Sequence, residues 1–244
     1  MIVEFAGLPG GGKTTLLHEV DRMLSQSGIE VRSGADVRRS WIHPEHRAAT
    51  LPGRLRRAGA LVLRAPLLAV VAVTLIRSPR PRAERWVAFR WFVVALEQHL
   101  AASRVGDDVV VLIDEGMVQR TFLLFVEAAG VSRGRLVDRY RRRAPRADLV
   151  VLVDAEPDVA LGRLRGRSRG VAPRLEALGD EALSARFVEA RGLLEGSANR
   201  AGGVVVTVAL DGVDVGASEV VRVIEQRRGR RSATLTPPGA GGGA

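Results

Sequence analysis

Residues 7–14 constrain the fold of this chain most strongly, because they read Gly-Leu-Pro-Gly-Gly-Gly-Lys-Thr. This is a complete G-x-x-x-x-G-K-[ST] pattern, typical of a loop whose backbone N–H groups surround phosphates. An apolar run precedes the loop at 2–6, and a helical stretch follows it at 13–27. In that setting the helix N-terminus adds partial positive charge to the loop. The sequence therefore predicts a nucleoside triphosphate site at the start of the chain.

The residues of this loop have distinct expected roles. Lys13 reaches the terminal phosphates, and the hydroxyl of Thr14 is available to Mg²⁺. The expected cofactors are ATP and Mg²⁺. The predicted nucleotide-binding residues are Gly7, Leu8, Pro9, Gly10, Gly11, Gly12, Lys13, Thr14 and Thr15.

Composition restricts the partners of the protein. Its 244 residues suit a single α/β domain, and 37 Lys and Arg against 27 Asp and Glu give a net charge of +10, which favours anionic partners. The charge is spread along the chain without a nucleic-acid motif, so we expect a small acidic substrate rather than nucleic acid. There is no cysteine, which excludes disulfides. Because the first strand begins at residue 2, we expect no signal peptide. A protein that uses ATP is expected in the cytoplasm.

Strand and helix signals alternate along the chain, which is the pattern of an α/β fold with a parallel sheet. The strands are unbroken apolar runs, as suits strands that are buried on both faces. They are expected at 2–6, 109–113, 148–153 and 203–209, with a weaker candidate at 29–33. Helices are expected at 13–27, around 86–100, and at 158–165, 180–195 and 217–226.

An apolar and basic insert occupies about 47–85, and its most apolar part is 61–76. The uninterrupted run 67–76 is much shorter than the roughly 20 residues needed to cross a bilayer. It is interpreted either as a buried helix or part of a substrate lid, or as a contact with a membrane surface or lipid. The flanking arginines that favour membrane contact are Arg54, Arg56, Arg57, Arg77, Arg80 and Arg82.

The chain is expected to form one domain over 1–226, followed by a tail at 227–244. The tail is rich in Arg and then in Pro, Gly and Ala, so it cannot form a core and is predicted to be disordered.

Two acids end the apolar run 109–113. Asp114 at the end of a strand is the type of residue that orients Mg²⁺ in phosphate-loop proteins, and open α/β sheets bind ligands at this edge. Glu115 follows it directly and is open to several roles: a base that activates water, a base that accepts a proton from an acceptor hydroxyl, or a partner of a cation. Asp36 is the other candidate base or acceptor-orienting group.

Arginines alternate along 163–169, at Arg163, Arg165, Arg167 and Arg169. Guanidinium groups in a mobile segment can stabilise the charge that develops on a transferring phosphoryl group. We assign Arg163, Arg167 and Arg169 to such a lid, while a solvated basic loop remains the alternative.

The segment 148–167, Asp-Leu-Val-Val-Leu-Val-Asp-Ala-Glu-Pro-Asp-Val-Ala-Leu-Gly-Arg-Leu-Arg-Gly-Arg, resembles the fourth strand, proline-started helix and arginine lid of thymidylate-kinase-like P-loop kinases. The glycine-rich loop, the helix that ends near His99 and the acid-ended strand occur in the order of that family. The resemblance implies a three-layer P-loop NTPase fold with a five-stranded parallel sheet flanked by helices. It also implies ATP over the loop and a second cleft for an acceptor.

The chain departs from this family at three places. Asp114-Glu115 stands where the thymidylate kinases have Asp-Arg, and Glu97 stands where they have an Arg that grips the acceptor phosphate. Asp36 and Trp41 only loosely fill the place of the Glu-Pro that follows the second strand in deoxynucleoside kinases. We therefore expect the acceptor to be nucleoside-like, nucleotide-like or sugar-type, but not thymidylate.

The sequence thus favours an ATP-dependent kinase that acts on a small acceptor, with a lipid-linked acceptor or peripheral membrane contact also open. The alternative is an ATPase or nucleotide switch whose insert contacts a membrane or a protein. A third possibility is a nucleotide-binding module without catalysis.

Overall fold

A computed structural model gives the fold. It describes residues 1–42, 63–78, 80–126, 133–166, 179–200, 204–209 and 212–235. Arg167 and Arg169 of the predicted lid, and residues 47–62 of the predicted insert, lie outside the described residues.

The centre of the fold is a five-stranded sheet in which all the paired strands are parallel. Its order is β2-β3-β1-β4-β5, so the strand that leads into the glycine-rich loop is central. The strands are β1 Ile2–Gly7, β2 Val31–Ser33, β3 Val110–Asp114, β4 Leu149–Asp154 and β5 Val204–Ala209. The predicted α/β class and five-stranded parallel sheet are confirmed, and the strand ends differ from the predicted ones by one or two residues.

Nine helices are assigned within the described residues. They are α1 Lys13–Gln26, α2 Gly34–Ile42, α3 Ala65–Ile76, α4 Arg82–Ala102, α5 Gln119–Phe125, α6 Arg133–Arg143, α7 Pro157–Arg165, α8 Asp180–Ala198 and α9 Val213–Leu235. The predicted helices correspond to α1, α4, α7, α8 and α9, and the apolar run 67–76 lies in α3. Sequence periodicity missed α2, α5 and α6, because α2 and α5 are short and α6 is strongly polar.

Helices cover both faces of the sheet, because alternate side chains of each strand enter different cores. Val3 and Phe5 pack in one core with residues of α1 and α9. Ala6 and Val150 point the other way and pack with residues of α7 and α8. Burial on both faces accounts for the continuous apolar runs in the sequence.

The C-terminal boundary predicted from the sequence needs correction. Helix α9 continues to Leu235, so residues 227–235 are helical rather than part of a disordered tail. Arg227 and Arg228 donate hydrogen bonds to the carbonyl oxygens of Asp148 and Asp108, which lie just before β4 and β3. These long-range contacts extend the helix beyond its apolar pattern. Residues 236–244 lie outside the described residues.

Helix α3 is the apolar part of the predicted insert. Leu67, Val71 and Leu75 are buried in a satellite core with residues of α4 and α6. Ile76 on the opposite side is 70% exposed. The prediction of a buried helix is therefore correct for one side of α3 only. In the described part of the chain, no helix has the length and apolar character needed to cross a membrane.

Candidate functional site

The glycine-rich loop, residues 7–14, folds tightly between β1 and α1. Gly10 and Gly12 have φ values of 83° and 87°, in the left-handed region that favours glycine. The Gly11 N–H donates to the Leu8 carbonyl at 2.9 Å. The Lys13 ammonium donates to the carbonyl oxygens of Gly7 and Leu8 at 3.1 and 3.0 Å. The loop therefore closes around a lysine ammonium that is almost fully buried.

Helix α7 packs directly on this loop. A Cβ at Gly10 would lie 2.1 Å from the Ala160 carbonyl oxygen and 3.2 Å from the Leu164 Cβ. Any side chain larger than hydrogen at Gly10 would push α7 away. Arg163, the first of the predicted lid arginines, is exposed and adjoins Leu164 on this helix. The contact therefore places the start of the predicted lid segment beside the loop.

Thr14 and Asp114 meet at the carboxyl-terminal edge of the sheet. The Thr14 hydroxyl donates to Asp114 Oδ2 at 3.0 Å. Asp114 Oδ1 is buried, and no described residue offers it a hydrogen bond. A carboxylate oxygen and a hydroxyl beside the glycine-rich loop suit a hard cation such as Mg²⁺, which prefers oxygen ligands and few carboxylates. Thr15, the last predicted loop residue, is exposed on the next position of α1.

Glu115 adopts an unusual backbone conformation directly after Asp114. Its φ is 59°, a left-handed value that is costly for a residue with a side chain and is often found at functional sites. The carboxylate is 49% exposed and lies 3.4 Å from Arg120 Nη2. Arg120 is itself buried, and its guanidinium lies 5.7 Å from the centre of the Trp91 ring. The acid is thus presented to solvent and held by a buried cation.

A buried polar network, which the sequence reading missed, fixes the loop after β3. The Glu4 carboxylate accepts hydrogen bonds from the backbone N–H groups of Val118 and Gln119 at 2.5 and 3.3 Å. It also lies 3.1 Å from His99 Nε2. The Gln119 side-chain oxygen accepts the Gly7 N–H at 3.0 Å, so this network reaches the glycine-rich loop. The signal in the sequence was a single acid, Glu4, within an otherwise apolar strand.

Tyr140 completes the support of this loop from α6. Its hydroxyl donates to the Met117 carbonyl at 2.8 Å. Burial raises the pKa of Tyr140 well above its usual value, and the nearby Glu4 carboxylate raises it further, against the opposing effect of Arg120. The phenol therefore stays protonated and keeps donating this hydrogen bond throughout the neutral range.

Asp36 lies at the carboxyl-terminal edge of β2, where it forms a helix cap. Its backbone N–H donates to Ser33 Oγ at 3.0 Å, and Ser33 Oγ donates to its Oδ2 at 2.7 Å. Ser33 thereby caps the start of α2 by accepting the Asp36 backbone N–H. Asp36 also pairs with Arg39 at 3.3 Å and is 61% exposed. Local helix capping accounts for these contacts, and the exposed carboxylate is also accessible to a ligand.

Glu97 differs from the acceptor-facing acid that the sequence suggested. It is fully buried, and Arg38 of α2 pairs with it at 2.7 Å. Its charge is therefore balanced inside the protein instead of being presented to an acceptor. The Arg38 side chain is 29% exposed, so this member of the pair reaches the surface.

Arg165, which lies between the predicted lid arginines but was not assigned to the lid, has a partner of its own. It pairs with Asp180 at the start of α8, and so joins two helices. Arg163 is exposed on α7. The described segment of the lid therefore contains one arginine with a structural partner and one that faces solvent.

The described residues contain no group of three or more His, Cys, Asp or Glu side chains that could hold a metal by themselves. The structure thus defines an α/β protein whose glycine-rich loop, Thr14 and Asp114 converge at one edge of a parallel sheet. No protein-family model matches the chain, and no curated protein matches it.

Proposed function

We propose that this protein has a P-loop NTPase fold and is an ATP-dependent kinase that phosphorylates a small acceptor. The observation that carries the proposal is the convergence of Lys13, Thr14 and Asp114 around a loop that ends in a helix N-terminus. A buried ammonium and a helix N-terminus beside a glycine-rich loop together suit a polyphosphate. The packing of α7 on Gly10 brings a basic segment to the same place.

Thr14 and Asp114 would hold the magnesium of a magnesium–ATP complex, directly or through water. The buried Asp114 Oδ1, to which no described residue donates a hydrogen bond, supports this role, because a buried carboxylate oxygen without a hydrogen bond is costly unless something else binds it. When bound, Mg²⁺ neutralises charge on the β- and γ-phosphates.

In the proposed reaction an acceptor hydroxyl oxygen forms a bond to the γ-phosphorus of ATP. The bond between that phosphorus and the β–γ bridging oxygen breaks, and ADP leaves with the electron pair. The proton of the acceptor hydroxyl passes to Glu115, or to Asp36 if the acceptor lies nearer β2. Glu115 is favoured by its position after Asp114 and by its left-handed backbone, which directs an exposed carboxylate at the sheet edge.

The proposed lid consists of Arg163, Arg167 and Arg169. Guanidinium groups over the transferring phosphoryl group would stabilise its transition-state charge and exclude water. The acceptor is proposed to be nucleoside-like, nucleotide-like or sugar-type rather than thymidylate. A protein of this type is expected to act in the cytoplasm.

The alternative is an ATPase or nucleotide switch, favoured by the half-exposed carboxylate of Glu115 directly after Asp114. In that case Glu115 would activate water instead of an acceptor hydroxyl. The two functions differ in one measurable respect: a kinase protects ATP from water until its acceptor closes the site, whereas a switch does not need an acceptor.

The test is ADP release with magnesium–ATP and a panel of nucleosides, nucleotides, sugars and lipid-linked sugars, against a reaction without acceptor. We expect slow basal hydrolysis and strong acceleration by one class of acceptor. Lys13→Ala should abolish turnover without unfolding the protein, and Glu115→Gln should slow the accelerated reaction. Vigorous acceptor-free hydrolysis that depends on Glu115 would instead establish the ATPase. Normal turnover in Lys13→Ala would contradict the assignment of the nucleotide site to the glycine-rich loop.

A further inference from the structure

A cleft of about 670 Å³ opens at the amino-terminal edge of the sheet, where Ile2 begins β1. The glycine-rich loop follows Gly7, at the other end of the same strand, so the two sites are on opposite edges. Arg142, Arg143 and Arg146 line the cleft from one segment of the chain and form what we call its cationic wall. The segment 63–67 also lines the cleft, with Arg64 and the apolar Leu63, Pro66 and Leu67. A cleft lined by both cationic and apolar side chains suits an anionic amphiphile.

The cationic wall is accessible to a ligand. Arg142, Arg143 and Arg146 are all exposed at the end of α6 and in the turn before β4. An adjoining cleft of about 320 Å³ shares Arg142 and Arg146. The acid in that second cleft, Asp138, is paired with Arg200 at 2.5 Å. The positive charge of this wall is therefore not cancelled by the acid beside it.

His99 adds a buried polar atom to the same cleft. The residue is 2% exposed, and its Nε2 is engaged with Glu4. Its Nδ1 is buried without a hydrogen bond from any residue that the structure describes. Buried polar atoms are nearly always partnered in native structures. The imidazole that lines the cleft thus keeps one nitrogen for which the described residues offer no partner.

An apolar stripe runs from the cleft along the exposed side of α3. The exposed positions of the helix recur every three or four residues, which places them on one side. They are Ala65, Pro66, Ala69, Val73 and Ile76. Leu63, just before the helix, is 83% exposed. Since the opposite side of α3 is packed in the core, the helix presents an apolar side both to the protein and to the solvent.

The stripe continues onto the start of α4. Arg85 donates a hydrogen bond to the Ile76 carbonyl at 3.2 Å, which ties the first turn of α4 to the end of α3. Trp86, near the start of α4, is 64% exposed. Tryptophan is enriched where proteins meet the headgroup region of a membrane.

We propose that this surface, formed by the three exposed arginines, Leu63 and the exposed side of α3, binds an anionic phospholipid bilayer. The arginines would contact lipid phosphates, and α3 would lie in the plane of the interface with its stripe among the acyl chains. With 12 residues α3 is too short to cross the membrane. Arg80, which the sequence suggested as a membrane-facing cation, does not take part, because it is buried and bonds to the Leu123 carbonyl.

Charge favours a bilayer over a second copy of the chain. A symmetric dimer uses the same patch on both subunits, so it would bring the arginines of the two copies close together. An anionic bilayer complements these charges and also accepts the apolar stripe. The proposal goes beyond the kinase reaction and does not depend on it, because neither the cleft nor α3 contains a residue of the nucleotide site.

The experiment is sedimentation of the full chain with phosphatidylglycerol vesicles and with neutral phosphatidylcholine vesicles, at fixed salt and without nucleotide. We expect binding to the anionic vesicles only, with a blue shift of tryptophan emission. Arg142→Gln combined with Arg143→Gln should weaken binding about fivefold for each arginine. Leu63→Ser combined with Ile76→Ser should weaken it about tenfold, because two exposed apolar side chains no longer enter the interface.

Matched controls separate a specific surface from the general positive charge of the protein. Arg32→Gln with Arg222→Gln removes the same charge from exposed positions on β2 and α9. Val188→Ser with Val215→Ser removes exposed apolar side chains, 59% and 76% exposed, from α8 and α9. Both control pairs should bind vesicles like the wild type. Lys13→Ala should also bind normally, so a failure of the kinase proposal would leave this result unchanged.

Three outcomes would overturn the proposal. The first is equal binding to neutral vesicles, and the second is equal weakening by the variants and their controls. The third is no vesicle binding at all. In that case, binding of inorganic phosphate in a titration would assign the cleft to a soluble anion. A wild-type dimer that becomes a monomer in the Leu63→Ser with Ile76→Ser variant, measured by light scattering, would assign the α3 surface to a dimer interface.

Discussion

Gly116 lies against the buried carboxylate of Glu4, which holds the loop after β3. A Cβ at Gly116 would be 2.5 Å from the Glu4 carboxyl carbon. The position requires glycine for space, not for backbone conformation. This contact connects Gly116, which follows the candidate base Glu115, to the Glu4 network that reaches Gly7.

Gly116→Ala should therefore destabilise the protein by roughly 2–4 kcal/mol, because the added methyl displaces a buried, hydrogen-bonded carboxylate. Gly192→Ala is the matched control, since a Cβ there meets no atom within 4 Å and Gly192 is inside α8. In this control the free energy of unfolding should rise by about 0.5–1 kcal/mol, because alanine favours a helix more than glycine does. Urea unfolding of both variants measures the difference. Equal stability of the two would show that Glu4 adapts to the methyl group without cost.

At the scale of elements, the contact between α7 and the glycine-rich loop couples two segments that are far apart in the sequence. Gly10 and Ala160 approach so closely that neither segment can move far without the other. Arg165 then fixes the end of α7 to the start of α8 through Asp180. Arg163 is on the same helix and faces solvent, so it is available to a ligand over the loop.

Arg163→Ala should lower kcat by about 10- to 100-fold with little change in the affinity for ATP, because the interaction is expected mainly in the transition state. Arg165→Ala, two residues along the same helix, should leave kcat nearly unchanged and cost less than about 1 kcal/mol of stability as a surface pair. Steady-state kinetics with nucleotide binding by calorimetry distinguishes the two effects. If Arg163→Ala behaves like Arg165→Ala, the basic segment is a solvated loop.

At the scale of the whole molecule, nucleotide binding should stabilise the fold, because the loop, β3 and α7 meet only in the native state. Magnesium–ATP at 100 times its Kd should add about 2.7 kcal/mol, which is roughly a 5–10 °C rise in Tm for a chain of this size. Lys13→Ala should lose this rise, which is measured against its own ligand-free Tm because the variant also loses two buried hydrogen bonds. Differential scanning calorimetry of both proteins, with and without magnesium–ATP, measures the rise in Tm. An equal rise in both proteins would place nucleotide binding elsewhere.

The sequence by itself determined the glycine-rich loop, the strand and helix beside it, and the acid that ends β3. These features depend on local patterns: glycines at fixed spacing, apolar runs and helical periodicity. The cap that Ser33 forms with Asp36 is equally local, so the pair also marks a helix start, whereas the sequence reading took Asp36 only as a candidate base.

Only the tertiary structure decided which distant residues support the site. Glu4, His99, Gln119 and Tyr140 come from different elements, and nothing in their local sequence predicts that they share one buried network. The same holds for the extent of α9, which depends on carbonyl groups near β3 and β4. The physical reason is that periodicity reports how a segment meets solvent and core, whereas the partner of a buried polar group is set by packing between elements.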